Sequence, residues 1–308
     1  MERRYIEVER WLYQLIIFPL SGINFFLNIF YIHCLISNRQ KLRQPLKLLL
    51  CFLIGCSAAF SIHLALWSPI LVEMDGSSIP HHFFWMLIIF FTHSSMTCSG
   101  WMSIYAYVKV VPSKRALLIW IKRNIKSVVY LFFFSQETLI IFEASLKIST
   151  LVLEYRIIEG ANSTSNGLRD SGLEVGSAVV LIFLKVHLLS CIAMIGMCNF
   201  SMAHYLLKHI KSINREGFST SGIHDQMQIV ISEFFQGAFF LMCSILYFVD
   251  KFSFQYSPHF FFGPMMALTI TLLYMTGTTA SLFIGQVIFR QGAVGLWKWL
   301  TAPCCANI

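Results

Sequence analysis

The sequence predicts an all-α membrane protein: a single seven-transmembrane helix bundle over residues 1–308, N-terminus outside and C-terminus cytoplasmic. Three observations carry that prediction. First, 56% of the residues are apolar and only 12% are charged, about half the roughly 25% of a typical soluble domain. A soluble chain of this size covers its core with charge, and there is too little here to do it. Second, seven apolar runs reach the about 20 residues that a helix needs to cross the hydrocarbon layer. Third, Lys and Arg gather in alternate connecting segments, as positive-inside topology requires. This composition excludes a secreted disulfide scaffold, a disordered chain and a DNA-binding module, and implies a multi-pass protein of the plasma membrane.

The runs fall at about 11–37, 48–72, 83–108, 127–146, 175–207, 227–249 and 260–289. They are too long for strands and lack two-residue alternation, so each reads as a helix. Pro19, Pro69 and Pro264 lie within or near span ends. The opening MERRYIEVER has no cleavable-signal layout, and the first span is expected to serve as its own insertion signal. With the N-terminus outside, the inner segments are 38–47, 109–126, 208–226 and the short tail 290–308, holding fifteen of the 23 Lys+Arg. The outer segments hold seven, and Lys185 sits inside the fifth span. Asn162-Ser163-Thr164, in the expected outer loop 147–174, is an N-x-[ST] glycosylation acceptor.

Seven of the nine Cys lie in apolar runs without C-x-x-C spacing, where Cys behaves as a small hydrophobe; no metal or cofactor is expected. Cys304 and Cys305 follow Trp297-Lys298-Trp299 in the tail, where they are either acylated or unmodified thiols.

On the third span Ser94, Thr97, Cys98 and Trp101 share one face at i, i+3, i+4, i+7. Small polar groups beside a Trp suit a pocket wall that stacks on a ligand and offers it a few hydrogen bonds; helix–helix packing is their other role. Trp67, Phe240, Tyr247 and Thr276 are further candidates for an outer or central cavity, against the alternative of facing lipid. Ionisable residues within spans are functional candidates because lipid makes them costly. Glu143 and Lys147 are expected to pair at i, i+4. Lys185, about two turns into the fifth span, is set to meet a ligand, pair with Glu174 or snorkel to the headgroups. Glu233, at the start of the sixth span, is expected to reach cytoplasmic water or the basic loops. Glu137, halfway through the fourth, has no such outlet.

Usual marks of seven-helix receptors are missing: the third span ends Tyr105-Ala106-Tyr107-Val108-Lys109 without an acid–Arg–Tyr triplet, and the seventh lacks N-P-x-x-Y and any Lys. Instead, W-M-S-I-Y-A-Y-V-K-V-V from Trp101 and L-L-I-W-I-K-R-N-I from Leu117 resemble the type 2 (bitter) taste receptor pattern, with Lys109, Trp120 and Lys122 at matching spacing. Y-L-L-K-H-I-K-S-I from Tyr205 resembles that family's S-L-x-x-H-x-x-x-M, with His209 in register. Gly277, Gly285, Arg290 and Gln291 match its seventh-span segment, where Thr278 and Thr279 stand in place of His-Ser. Gly22-Ile23-Asn24-Phe25-Phe26 is similar to its first-span G-N-x-F-I.

The resemblance, to a divergent member, implies a G-protein-coupled receptor and not an enzyme. Its ligands would be small, mostly apolar molecules bound in the outer half of the bundle. A heterotrimeric G protein would dock on Lys109, Lys122, His209, Lys211 and Arg290; topology and lipid headgroups explain that basic face equally well. A vomeronasal-type chemosensory receptor is the neighbouring alternative. From another class comes a transporter or channel, for which Glu137, Glu143, Lys185 and Glu233 would mark an ion path.

Overall fold

The computed structural model describes residues 5–6, 10–37, 44–71, 79–112, 116–158, 167–216, 221–256, 261–262 and 264–305. The helices among them are, in chain order, α1 (Arg10–Ser37), α2 (Leu46–Leu71), α3 (Ile79–Val110), α4 (Ala116–Arg123), α5 (Ile125–Ile158), α6 (Gly167–Glu216), α7 (Ser221–Tyr256), α8 (Pro264–Gly285) and α9 (Val287–Cys305). Seven of these, α1–α3 and α5–α8, contain a stretch long and apolar enough to cross a membrane. Helices are the form such stretches take because lipid leaves no outside partner for backbone N–H and C=O groups. The protein is a seven-helix, multi-pass membrane bundle. One short pairing adds to it: β1 (Tyr5–Ile6) runs parallel to β2 (Phe261–Phe262), just ahead of α8.

The helices outrun the expected spans. At about 1.5 Å per residue, the 50 residues of α6 measure about 75 Å, more than twice the roughly 30 Å hydrocarbon layer. The membrane-competent stretch of α6 is Lys185–Lys211, not 175–207. Lys185 therefore stands exposed at the end of that stretch rather than two turns inside it. Helix also fills segments read as loops: α4 within 109–126, the end of α5 and start of α6 within 147–174, and α9 in the tail. Adding a residue to an existing helix costs far less than starting one, so polar residues beyond the apolar run stay helical. The seventh run divides instead. Its helix starts at Pro264, where a first-turn Pro gives up no needed hydrogen bond, and α8 gives way to α9 at Gln286.

Helix α3 is the hub, touching α2 and α4 through α8, while α7 and α8 share the most extensive contact. Every residue from Ser94 to Gly100 is buried, as befits a helix surrounded on all sides. Large apolar side chains on the outer helices point away: Phe26 of α1, Leu131 of α5 and Phe200 of α6, the last 76% exposed. Polar groups line the interior instead. One apolar cluster gathers Phe60, Leu64, Phe84, Phe240, Leu272 and Tyr274; another gathers Tyr31, Leu49, Leu50, Cys98, Phe133 and Phe289. With apolar surface equally content in lipid, close approach of small residues holds such helices together. A Cβ on Gly277 would come within 2.7 Å of the Phe239 ring, and one on Gly285 within 2.5 Å of Ser232 Oγ. The α7–α8 contact depends on both glycines.

Candidate functional site

Helix α3 turns two polar faces to its neighbours. Steps of four residues hold one face of a helix, and Ser95, Ser99 and Ser103 form such a row. Ser95 Oγ lies 3.4 Å from the Tyr274 hydroxyl of α8. Ser99 donates to Gln236 Oε1 of α7 at 3.4 Å, and Ser103 donates to Glu233 Oε2 at 2.6 Å. Beside them Asn199 of α6 donates Nδ2 to the Glu233 carbonyl at 3.0 Å. Gly237 makes that approach possible, since a Cβ there would run into the Asn199 amide. The result is a ladder of polar contacts joining α3, α6, α7 and α8.

Several buried polar atoms along this interior have no hydrogen-bond partner among the described residues: Gln236 Nε2, Asn199 Oδ1, Ser244 Oγ and Thr276 Oγ1. Buried polar groups are ordinarily satisfied, so each of these atoms has bonding capacity that the described residues leave unused. Trp67, Trp85, Phe91 and Phe239 pack against the cluster that contains Phe84, Phe240 and Tyr274. Phe240 meets Tyr274 edge-to-face with centroids 6.5 Å apart; Trp67 lies 6.3 Å from Phe84. Aromatic side chains and a few unspent polar atoms are the chemistry that small-molecule sites use.

The other face of α3 carries Ser94, Thr97, Cys98 and Trp101, and its contacts go to neighbouring helices. Ser94 donates to Glu137 Oε2 of α5 at 2.7 Å, Cys98 Sγ reaches the Leu49 carbonyl of α2 at 2.9 Å, and Trp101 stacks on Phe132 of α5 with centroids 5.7 Å apart. Thr97 is buried beside them. Glu137 is thus held inside the bundle by Ser94. Glu233 departs from expectation: only 4% exposed, it turns to Ser103 rather than to water or the basic segments. Glu143 is buried as well, while the side chains of Lys147 and Tyr247, and Asn162 altogether, lie outside the described residues.

A second polar network ties α1, α2 and α8. Asn24 donates Nδ2 to Ser57 Oγ at 3.0 Å and to Ser61 Oγ at 2.8 Å. Asn28 donates to Ser57 Oγ at 3.1 Å, and Ser57 Oγ meets Thr279 Oγ1 at 3.0 Å. Tyr31 donates to the Thr279 carbonyl at 3.0 Å. Asn24, through Ser57, is therefore part of a joint between three helices.

At one end of the bundle Ala106 of α3, Met202 and Leu206 of α6 and Val230 of α7 pack together. Lys109, Lys122 and Lys211 are exposed there at helix ends. His209 stacks on Tyr205 with centroids 5.7 Å apart, and Arg290 sits half-buried in the first turn of α9.

The i, i+4, i+8 serine row and Gln236 were readable as small polar residues within spans, but nothing in the sequence assigned them to facing helices. No three His, Cys, Asp or Glu side chains converge as a metal would require, among the described residues. No protein-family model matches the chain, and no curated protein is significantly similar to it.

Proposed function

We propose that this membrane protein is a chemosensory receptor of the bitter taste type. It would take up small, mostly apolar molecules between its helices and activate a heterotrimeric G protein. The observation that carries the reading is the Ser95–Ser99–Ser103 row against Tyr274, Gln236 and Glu233. Two of its three contacts are as long as 3.4 Å, weak enough to exchange. A molecule seated by Trp67, Phe240 and Thr276, with Gln236 Nε2 and Ser244 Oγ as polar partners, competes for that row. It would then shift the population of α7–α8 positions relative to α3. Lys109, Lys122, His209, Lys211 and Arg290 lie towards helix ends, and a change in the spacing of those ends would present them as a docking surface for the G protein. The motif matches and the basic segments support the same reading.

The test is a calcium response in cells expressing the chain with a promiscuous G protein, against a panel of bitter small molecules. A response lost in Gln236→Leu with surface expression unchanged supports the receptor and its ladder. Ligand-evoked current without any G protein overturns it in favour of a channel or transporter, for which the buried Glu137, Glu143 and Glu233 would be the path.

A further inference from the structure

Where α3 ends, its last turn and the short helix α4 leave a crevice of about 240 Å³, lined by Tyr107, Val108, Val111, Pro112, Leu118, Ile119 and Lys122. Six of those seven side chains are apolar or aromatic, and the one charge is the Lys122 ammonium. Tyr107 and Val108 belong to the membrane-competent stretch Pro80–Val110, so the crevice opens where hydrocarbon gives way to headgroups. Beside Lys122, α4 exposes Ile119 and Trp120, an apolar and aromatic edge of the kind found at that depth. Residues 109–126 contain Lys109, Lys114, Arg115, Lys122, Arg123 and Lys126 and no acid at all. An apolar slot at the membrane boundary, gated by a cation within an all-basic segment, calls for an amphiphile with an anionic head.

We infer that this crevice binds an anionic phospholipid of the adjacent leaflet, an acyl chain between α3 and α4 and the headgroup phosphate on Lys122. The membrane itself is the source favoured over a peptide, because two of the slot's walls, Tyr107 and Val108, belong to the membrane-competent stretch and its charge complements the headgroup. The site is independent of what ligand the bundle senses. Lys122 serves there as a lipid anchor that holds α4 at the bilayer surface.

The full chain is placed in phosphatidylcholine nanodiscs doped with phosphatidylserine, and the lipids it retains are counted by native mass spectrometry. The wild type should retain phosphatidylserine over phosphatidylcholine. Lys122→Ala, a surface change that leaves the bundle intact, should lower that retention roughly fivefold, the contribution of one basic side chain near an anionic surface. Val111→Trp, or Ile119→Trp at the exposed rim should the first fail to fold, should fill the slot and lower retention with every charge in place. Equal retention of the two lipids overturns the assignment, as does retention unchanged by Lys122→Ala. So does displacement of phosphatidylserine by soluble glycerophosphoserine as effective as that by intact lipid, since charge alone would then suffice.

Discussion

Ser103 of α3 and Glu233 of α7 are joined by a 2.6 Å hydrogen bond between residues 130 apart in the chain, both buried. Inside a membrane bundle such a bond fixes two helices in one relative position. Removing the donor leaves a buried carboxyl without that partner, a loss of about 1–3 kcal/mol. Ser103→Ala should therefore melt earlier than the wild type in detergent. Ser103→Thr, which keeps the hydroxyl, should recover most of the loss. Equal melting of all three would remove the bond from any structural role.

The glycines of the α7–α8 contact make a sharper comparison. Gly277→Ala and Gly285→Ala drive a methyl to 2.7 Å from Phe239 and 2.5 Å from Ser232, and overpacking of this kind costs about 1–3 kcal/mol. A Cβ on Gly22 meets nothing within 4 Å, so Gly22→Ala should be neutral or gain up to about 1 kcal/mol from helix propensity. Thermal melts of the three variants, read against one wild-type curve, decide it.

Ser244 presents the opposite case. Its buried hydroxyl has no partner among the described residues, so Ser244→Ala should keep or raise the melting temperature, by the equivalent of about 1 kcal/mol. If the hydroxyl meets a bound molecule, the same variant needs a higher ligand concentration for half-maximal calcium response. More stable and less responsive is the expected pair of results.

Trp101 and Phe240 separate packing from ligand contact. Trp101 spends its ring face on Phe132, and Phe240 sits in the aromatic cluster with Tyr274. Trp101→Ala should lower stability and surface level while the half-maximal concentration of any activating molecule, read on the protein that reaches the surface, stays put. Phe240→Leu should shift that concentration with less effect on expression. The reverse pattern would move the pocket to the α3–α5 side.

Topology has its own check. If the N-terminus is outside, the Asn162-Ser163-Thr164 acceptor faces the glycosylating compartment and should carry glycan. Asn162→Gln should then run at the mobility of glycosidase-treated wild type, and an untreated wild type already at that mobility would count against the orientation.

The Ser103 and Trp101 experiments turn on what was legible beforehand and what was not. Seven spans, and roughly where each lies, followed from composition and run length, although the fifth covers Lys185–Lys211 rather than 175–207 and the seventh run divides at Gln286. The reason is that lipid offers a backbone no partner, so every apolar run of sufficient length closes its own hydrogen bonds as a helix. Which side of α3 meets which helix did not follow. One residue of rotation, about 100°, separates Ser94 and Cys98, bonded to α5 and α2, from Ser95 and Ser99, facing α8 and α7. In a segment buried all round, both rows look alike in sequence. Only packing distinguished them: Gly277 and Gly285 admit Phe239 and Ser232, Gly237 admits Asn199, and those approaches turn Gln236 and Glu233 toward α3. The sequence by itself determined how many helices cross the membrane; the close contacts between them decided which polar groups meet.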